Sequence, residues 1–138
     1  MLWQRSRGDF VQLRIVIINR EPGVYKVSLY GPLETATYVE FEEEIRPLLI
    51  KSTKAIILNM EGVNYISSRG LGAIFKITNL MHAQNGTLLL INLQPQIKKV
   101  FDTVKALPEN IFASLDEADE YLNAIQKKAL EKDKPGSF

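Results

Sequence analysis

Two stretches of this sequence, Ala55-Ile56-Ile57-Leu58-Asn59-Met60 and Thr87 through Leu93, are apolar almost without interruption and too short for helices. A strand with one wet face alternates apolar and polar residues. A strand covered on both faces has no such need and reads as a continuous apolar run. Each run is followed by a segment of helical periodicity. That pattern commits the chain to buried strands joined by helices, in a mixed, largely parallel sheet with right-handed crossovers.

The rest of the chain fits around those two strands. Val11, Leu13, Ile15 and Ile17 alternate with Gln12 and Arg14, and Tyr25, Val27 and Leu29 alternate with Lys26 and Ser28. Between them Asn19-Arg20-Glu21-Pro22-Gly23 carries turn chemistry, so the two runs are predicted to pair as an antiparallel hairpin. Gly31-Pro32 breaks the second strand. From Thr37, the residues Tyr38, Phe41, Ile45 and Leu48 recur at helical spacing, and Pro47 is expected to kink that helix or begin its last turn. A second helix is predicted from near Gly70 to about Gln84, burying Leu71, Ile74, Phe75, Leu80 and Met81 and closing at Asn85-Gly86. Pro95 suits the start of a third, with Ile97, Val100, Phe101 and Val104 as its stripe. Ile111-Phe112-Ala113 fits a short edge strand. Ser114-Leu115-Asp116-Glu117 matches a capping box, opening a helix lined by Leu115, Ala118, Leu122 and Ile125. The expected fold is α/β: a mixed sheet with an N-terminal antiparallel hairpin and about four helices. One domain is expected over residues 11–126, with an N-terminal tail at 1–10 and a disordered C-terminal tail at 127–138.

Composition narrows the function. The chain has 138 residues, room for one domain at about 100–200 residues each. Seventeen basic against sixteen acidic residues leave a net charge of +1, which argues against nucleic acid or an anionic membrane as a partner. There is no cysteine, hence no disulfide, thiolate metal site or thiol nucleophile. The polar start, with Arg5 and Arg7, lacks the run of roughly 7–15 apolar residues that a secretory signal needs. No stretch approaches the ~20 residues of a membrane span. The expectation is a cytoplasmic protein that does not insert into membrane and needs no cofactor.

One segment could carry chemistry: Gly62-Val63-Asn64-Tyr65-Ile66-Ser67-Ser68-Arg69-Gly70-Leu71-Gly72, between a buried strand and a helix. Ligands of open α/β sheets gather at such carboxyl ends, and free N–H groups at the helix start favour a negative group. A dinucleotide loop fails because its third glycine position is Phe75, and no Gly-Lys-Ser/Thr makes a P-loop. A hydrolase elbow fails because Ile66 stands two residues before Ser68, and His82 is the only candidate base. What remains is a hydroxyl that accepts a phosphoryl group from another protein; the added charge of about −1.5 to −2 is tolerable at a helix N-terminus. The plainer reading is a serine that only caps the helix, worth about 1 kcal/mol against alanine.

The same residues resemble the signature of the STAS domain, the fold of bacterial anti-sigma factor antagonists. In that family an apolar strand is followed by Gly/Asp/Leu-Val-x-Tyr/Phe-Ile/Met and then Asp/Ser-Ser-Ser/Ala/Thr-Gly-Leu-Gly/Arg, and the resemblance extends over about residues 11–126. It implies that Ser68 is the phosphoacceptor. An anti-sigma factor that is also a serine protein kinase phosphorylates it with ATP, a serine phosphatase reverses the change, and only the unmodified antagonist binds the anti-sigma factor. The chain would then be a kinase substrate and not itself an enzyme. Three departures stand out. Ser67 occupies the position where Asp is commonest. Arg69 replaces a small residue and is expected to pair with a phosphate or adjust partner choice. Gly31-Pro32-Leu33-Glu34 stands where the family has Gly-Glu-Leu-Asp. The expected docking surface comprises Gly31, Leu33 and Glu34, the turn Ser67, Ser68, Arg69 and Gly70, and the exposed face of the following helix. The rival expectation is a non-phosphorylated STAS module serving as a scaffold subunit of a membrane-associated or lipid-transport complex; a small-ligand or nucleotide binder is a third class.

Elsewhere the plain readings prevail. Glu42-Glu43-Glu44 reads as a solvated helix face, His82 as an ordinary helix residue with no second ligand for a metal, and Lys98, Lys99 and Lys105 as solubilising charge. Trp3 has no assigned role.

Overall fold

A computed structural model describes residues 13–104 and 111–132. Strand β1 (Arg14–Glu21) turns through Pro22-Gly23 into β2 (Val24–Tyr30), and helix α1 (Tyr38–Ile45) leads to β3 (Ala55–Gly62). Then follow α2 (Ser68–Ala83), β4 (Thr87–Ile91), α3 (Pro95–Val104), the short β5 (Ile111–Phe112) and α4 (Leu115–Lys132). The five strands lie in the order β1-β2-β3-β4-β5; β1 runs antiparallel to β2 and every other pairing is parallel.

Because β2 to β5 are adjacent in chain order, crossovers of one hand put α1, α2 and α3 on one face. That face holds the larger core: Val27, Leu29, Ile56, Leu58, Met60, Leu88 and Leu90 packed against Phe41, Ile74, Ile77, Met81, Ile97 and Phe101. The other face is covered by α4, whose Ala118 and Leu122 close over Val24, Ala55, Ile57, Leu89 and Ile91. The apolar runs of β3 and β4 are thus buried on both sides, as their composition requires.

The hairpin turn is tighter than the five-residue turn segment suggested. Strand pairing continues to Glu21 through a bulge between Asn19 and Glu21, and Gly23 takes a φ of +81° in the two-residue turn. Arg20, at the bulge, donates both guanidinium ends to Asp119 of α4 at 2.7 and 3.1 Å. That hydrogen-bonded pairing raises the Arg20 pKa, against smaller opposing desolvation. Pro47 does end the first helix, which continues from Arg46 to Leu48 as a 3₁₀ turn. At the end of α2 Asn85 adopts a φ of +64°, with the Gly86 N–H on Met81 O and the Asn85 N–H on His82 O, a Schellman closure. The predicted box of α4 forms in a shifted version, with Glu117 bonded one residue before the Ser114 cap. Ser114 Oγ accepts from the Glu117 N–H, while the Glu117 carboxylate reaches back to the Ala113 N–H.

Three expectations are corrected. Leu80 is 40% exposed, and Ile77 takes its place in the core, because position 80 falls off the stripe through 74, 77 and 81. Ile17 is 36% exposed, on an edge strand paired only with β2. Helix α4 continues past Gln126 to Lys132, so the disordered tail expected from 127 does not begin there. Residues 1–12, with the expected N-terminal tail, Val11 and Trp3, lie outside the described residues, as do Lys105 and residues 133–138.

Candidate functional site

The loops leaving β2 and β3 are zipped together. The Gly31 N–H donates to Gly62 O at 2.9 Å, the Leu33 N–H to Tyr65 O at 2.9 Å and the Ser67 N–H to Leu33 O at 3.0 Å. Leu33 and Ile66 form an isolated parallel bridge, a last rung of the sheet beyond both strands. The Thr37 hydroxyl closes the first loop, donating to Pro32 O at 2.8 Å and accepting from the Glu34 N–H at 3.0 Å. The second loop is held from its far side: Gln94 Nε2 donates to Glu61 O at 2.8 Å and Gln96 Nε2 to Asn64 O at 3.3 Å. Below it, Asn59 donates to Ser28 Oγ, while its Oδ1 accepts from Asn92 Nδ2 and the Glu61 N–H.

On this plate the two serines are held differently. Ser67 is the N-cap of α2, its hydroxyl accepting from the Gly70 N–H at 3.3 Å. Ser68 is the first helical residue and is exposed. The helix therefore starts two residues earlier than its apolar periodicity indicated, because capping is decided by the serine and not by the stripe. Arg69 is also exposed, but its guanidinium is engaged away from Ser68: Nη1 donates to Tyr38 Oη at 3.0 Å, with the guanidinium carbon 5.7 Å from the Tyr38 ring centre. Neighbouring residues of a helix point about 100° apart, which sends Arg69 toward α1. Lys76, two turns on, meets Glu42 of α1 at 3.5 Å and continues the same seam.

Two residues expected on the docking surface have buried side-chain positions. Leu33 is fully buried, because its side chain is the apolar plug beneath both loops. Gly70 is buried too, packed so closely that a Cβ there would lie 2.2 Å from Leu33 O. Gly31, Glu34 and Ser67 are partly exposed, and Ser68 and Arg69 exposed. Sequence reasoning missed Tyr65 and Val39, 54% and 48% exposed beside the same loops; an apolar residue in a signature reads as core, and nothing in its spacing says otherwise. It also missed the amide supports Asn59, Asn92, Gln94 and Gln96.

No group of three or more His, Cys, Asp or Glu among the described residues could hold a metal ion. Glu43, Glu44, His82, Lys98 and Lys99 are exposed. Nor is any helix among the described residues long and apolar enough to cross a membrane.

The family model of the STAS domain matches residues 16–118, three quarters of the chain, and spans both zipped loops and the start of α2. The chain belongs to the STAS domain family. An anti-sigma-B factor antagonist of Staphylococcus aureus (strain NCTC 8325 / PS 47) is 28% identical over 78 residues, 56% of this chain and 72% of that protein. The solved anti-sigma factor antagonist SpoIIAA in its unphosphorylated form superposes with a TM-score of 0.69 at 19% identity, over 83% of this chain and 97% of that one. The STAS fold also recurs in a murine anion transporter, Solute Carrier 26 family member A9. There the TM-score is 0.65 at 24% identity, over 77% of this chain and 18% of the transporter. The fold is therefore shared by proteins of different function, and the STAS site has to be judged on its own residues.

Proposed function

We propose that this chain is an anti-sigma factor antagonist, a cytoplasmic regulator that binds an anti-sigma factor with serine kinase activity and is released when Ser68 is phosphorylated. The observation that carries the reading is the division of labour between the two serines. Ser67 caps the helix, so Ser68 is left exposed at the first residue of α2 with no structural duty in the cap. The name of the staphylococcal relative supports the same reading.

In the transfer step Ser68 Oγ attacks the γ-phosphorus of ATP. The Oγ–P bond forms as the bond from phosphorus to the β,γ-bridging oxygen breaks; ADP leaves, and the hydroxyl proton passes to a base supplied by the kinase. The product dianion sits at the N-terminus of α2, where unpaired N–H groups and the helix dipole favour it. The fold is unaffected. A partner seated over the same turn is not, since it meets added bulk and charge. Gly31, Glu34, Ser67 and Arg69 frame this surface, with Tyr65 and Val39 as its apolar contribution.

The test uses the purified protein incubated with an extract of its own cells and ATP. Intact mass should rise by one phosphoryl group in the wild type and stay unchanged in Ser68→Ala. A wild type that gains no mass would overturn the reading and leave the non-phosphorylated scaffold in its place.

A further inference from the structure

Arg69 follows Ser68 directly, at a position where the signature has a small residue, and its charge is not neutralised within the described part of the chain. Its guanidinium donates to the Tyr38 hydroxyl at 3.0 Å and lies 5.7 Å from that ring's centre. Both contacts are to a neutral side chain. Among the described residues no carboxylate comes within ion-pair distance of Arg69, whereas Arg20 and Lys76 have theirs in Asp119 and Glu42. The residue is exposed, and its guanidinium is positioned without being compensated.

The direction of the side chain decides between the two uses expected of it, a phosphate ligand or a determinant of partner choice. Adjacent residues of a helix do not face each other. With its guanidinium on Tyr38, Arg69 is turned from the Ser68 hydroxyl and toward α1, where Val39 is 48% exposed. One end of the guanidinium fork is on the phenol; the remaining donors are open to a second planar acceptor. A partner that covers this cation has to supply an anion, because burying it unpaired is strongly unfavourable. We propose that Arg69 is a specificity-determining residue of the docking surface: the kinase presents a carboxylate that pairs with the guanidinium, and Tyr38 holds the guanidinium ready for it. This rests on the reading of Ser68 as phosphoacceptor and names the chemistry of the partner in that reading. It also gives a reason for release. A carboxylate seated on Arg69 lies one residue from Ser68, so the phosphoryl dianion meets a like charge with no change in the fold.

The test is calorimetric titration, without ATP and at low and high salt, against the kinase purified from the same cells through its phosphorylating activity. Affinity should fall about tenfold for Arg69→Gln and about a hundredfold for Arg69→Glu, which removes and then reverses the charge. Arg69→Lys should recover part of the loss, since it returns the charge without the fork. Tyr38→Phe keeps the ring and removes the hydrogen bond, and should weaken binding about threefold. Salt should weaken the wild type more than Arg69→Gln, a difference that lost packing alone would not produce. Tm should stay within about 2 °C throughout, as it does for exposed substitutions. Arg69→Gln binding as tightly as the wild type would overturn the inference, as would equal salt dependence of the two; either result would leave Ser68 as phosphoacceptor intact. A wild type that own-cell extract and ATP leave unmodified overturns the phosphoacceptor reading, and this inference with it.

Discussion

Ser67 and Ser68 are chemically alike and adjacent, yet the backbone gives them opposite work. One closes the helix; the other faces solvent. Ser67→Ala removes the acceptor for the Gly70 N–H and should cost about 0.5–1 kcal/mol, the low end for a cap because the bond is 3.3 Å long. Ser68→Ala should stay within about 0.5 kcal/mol of wild type, as exposed substitutions do. Urea melts of the two variants separate the roles, and equal losses would contradict the assignment. Gly70 is the rigid point beneath them. Gly70→Ala would force a methyl to 2.2 Å from Leu33 O, a backbone atom fixed by its bond from the Ser67 N–H, and should cost roughly 2–4 kcal/mol in the same melts. The motif has Gly at 70 but Gly or Arg at 72, and the coordinates give the reason: a Cβ at 70 collides with Leu33 O, whereas at 72 it meets nothing within 4 Å.

Among elements, those held by local rules were legible and those held by distant partners were not. Strands β3 and β4, the Pro47 break, the Asn85-Gly86 closure and the Ser114 capping box each follow from residues within a turn of one another. The start of α2 was misplaced because Gly70 and Leu71 open its apolar stripe whereas Ser67 opens its hydrogen bonding. The candidate surface was half legible: its signature loop announces itself, but its second layer is made by amides far off in sequence. Asn59 is the centre of that layer, buried among Ser28, Asn92 and the Glu61 N–H. Alternation cannot reveal it, since a polar residue inside an apolar strand has no meaning until its partners are known. Asn59→Ala should cost about 1–3 kcal/mol by leaving those groups unpaired. Hydrogen exchange at Glu61 should quicken with it; unchanged exchange there would show that the loop is held by Gln94 and Gln96 alone.

At the scale of the whole fold, one face of the sheet carries three helices among the described residues and the other a single one. The lone helix is tied to the hairpin by Arg20 and Asp119, each about a third exposed. A double-mutant cycle on the pair should give about 0.5–1 kcal/mol, less in high salt, so hairpin and helix are aligned by this contact more than stabilised by it. The proposed docking surface stands at the carboxyl end of the sheet, apart from that contact, with its loops stapled to one another and to the α3 entry. Charge can therefore be added at its surface without reaching the core. Comparing Ser68→Asp with the wild type tests this most directly, by calorimetric titration against the kinase purified from the same cells through its phosphorylating activity, with Tm recorded for both. Affinity should fall at least about tenfold, or 1.4 kcal/mol, while Tm stays within about 1 °C. Equal affinity for the two proteins would contradict the account.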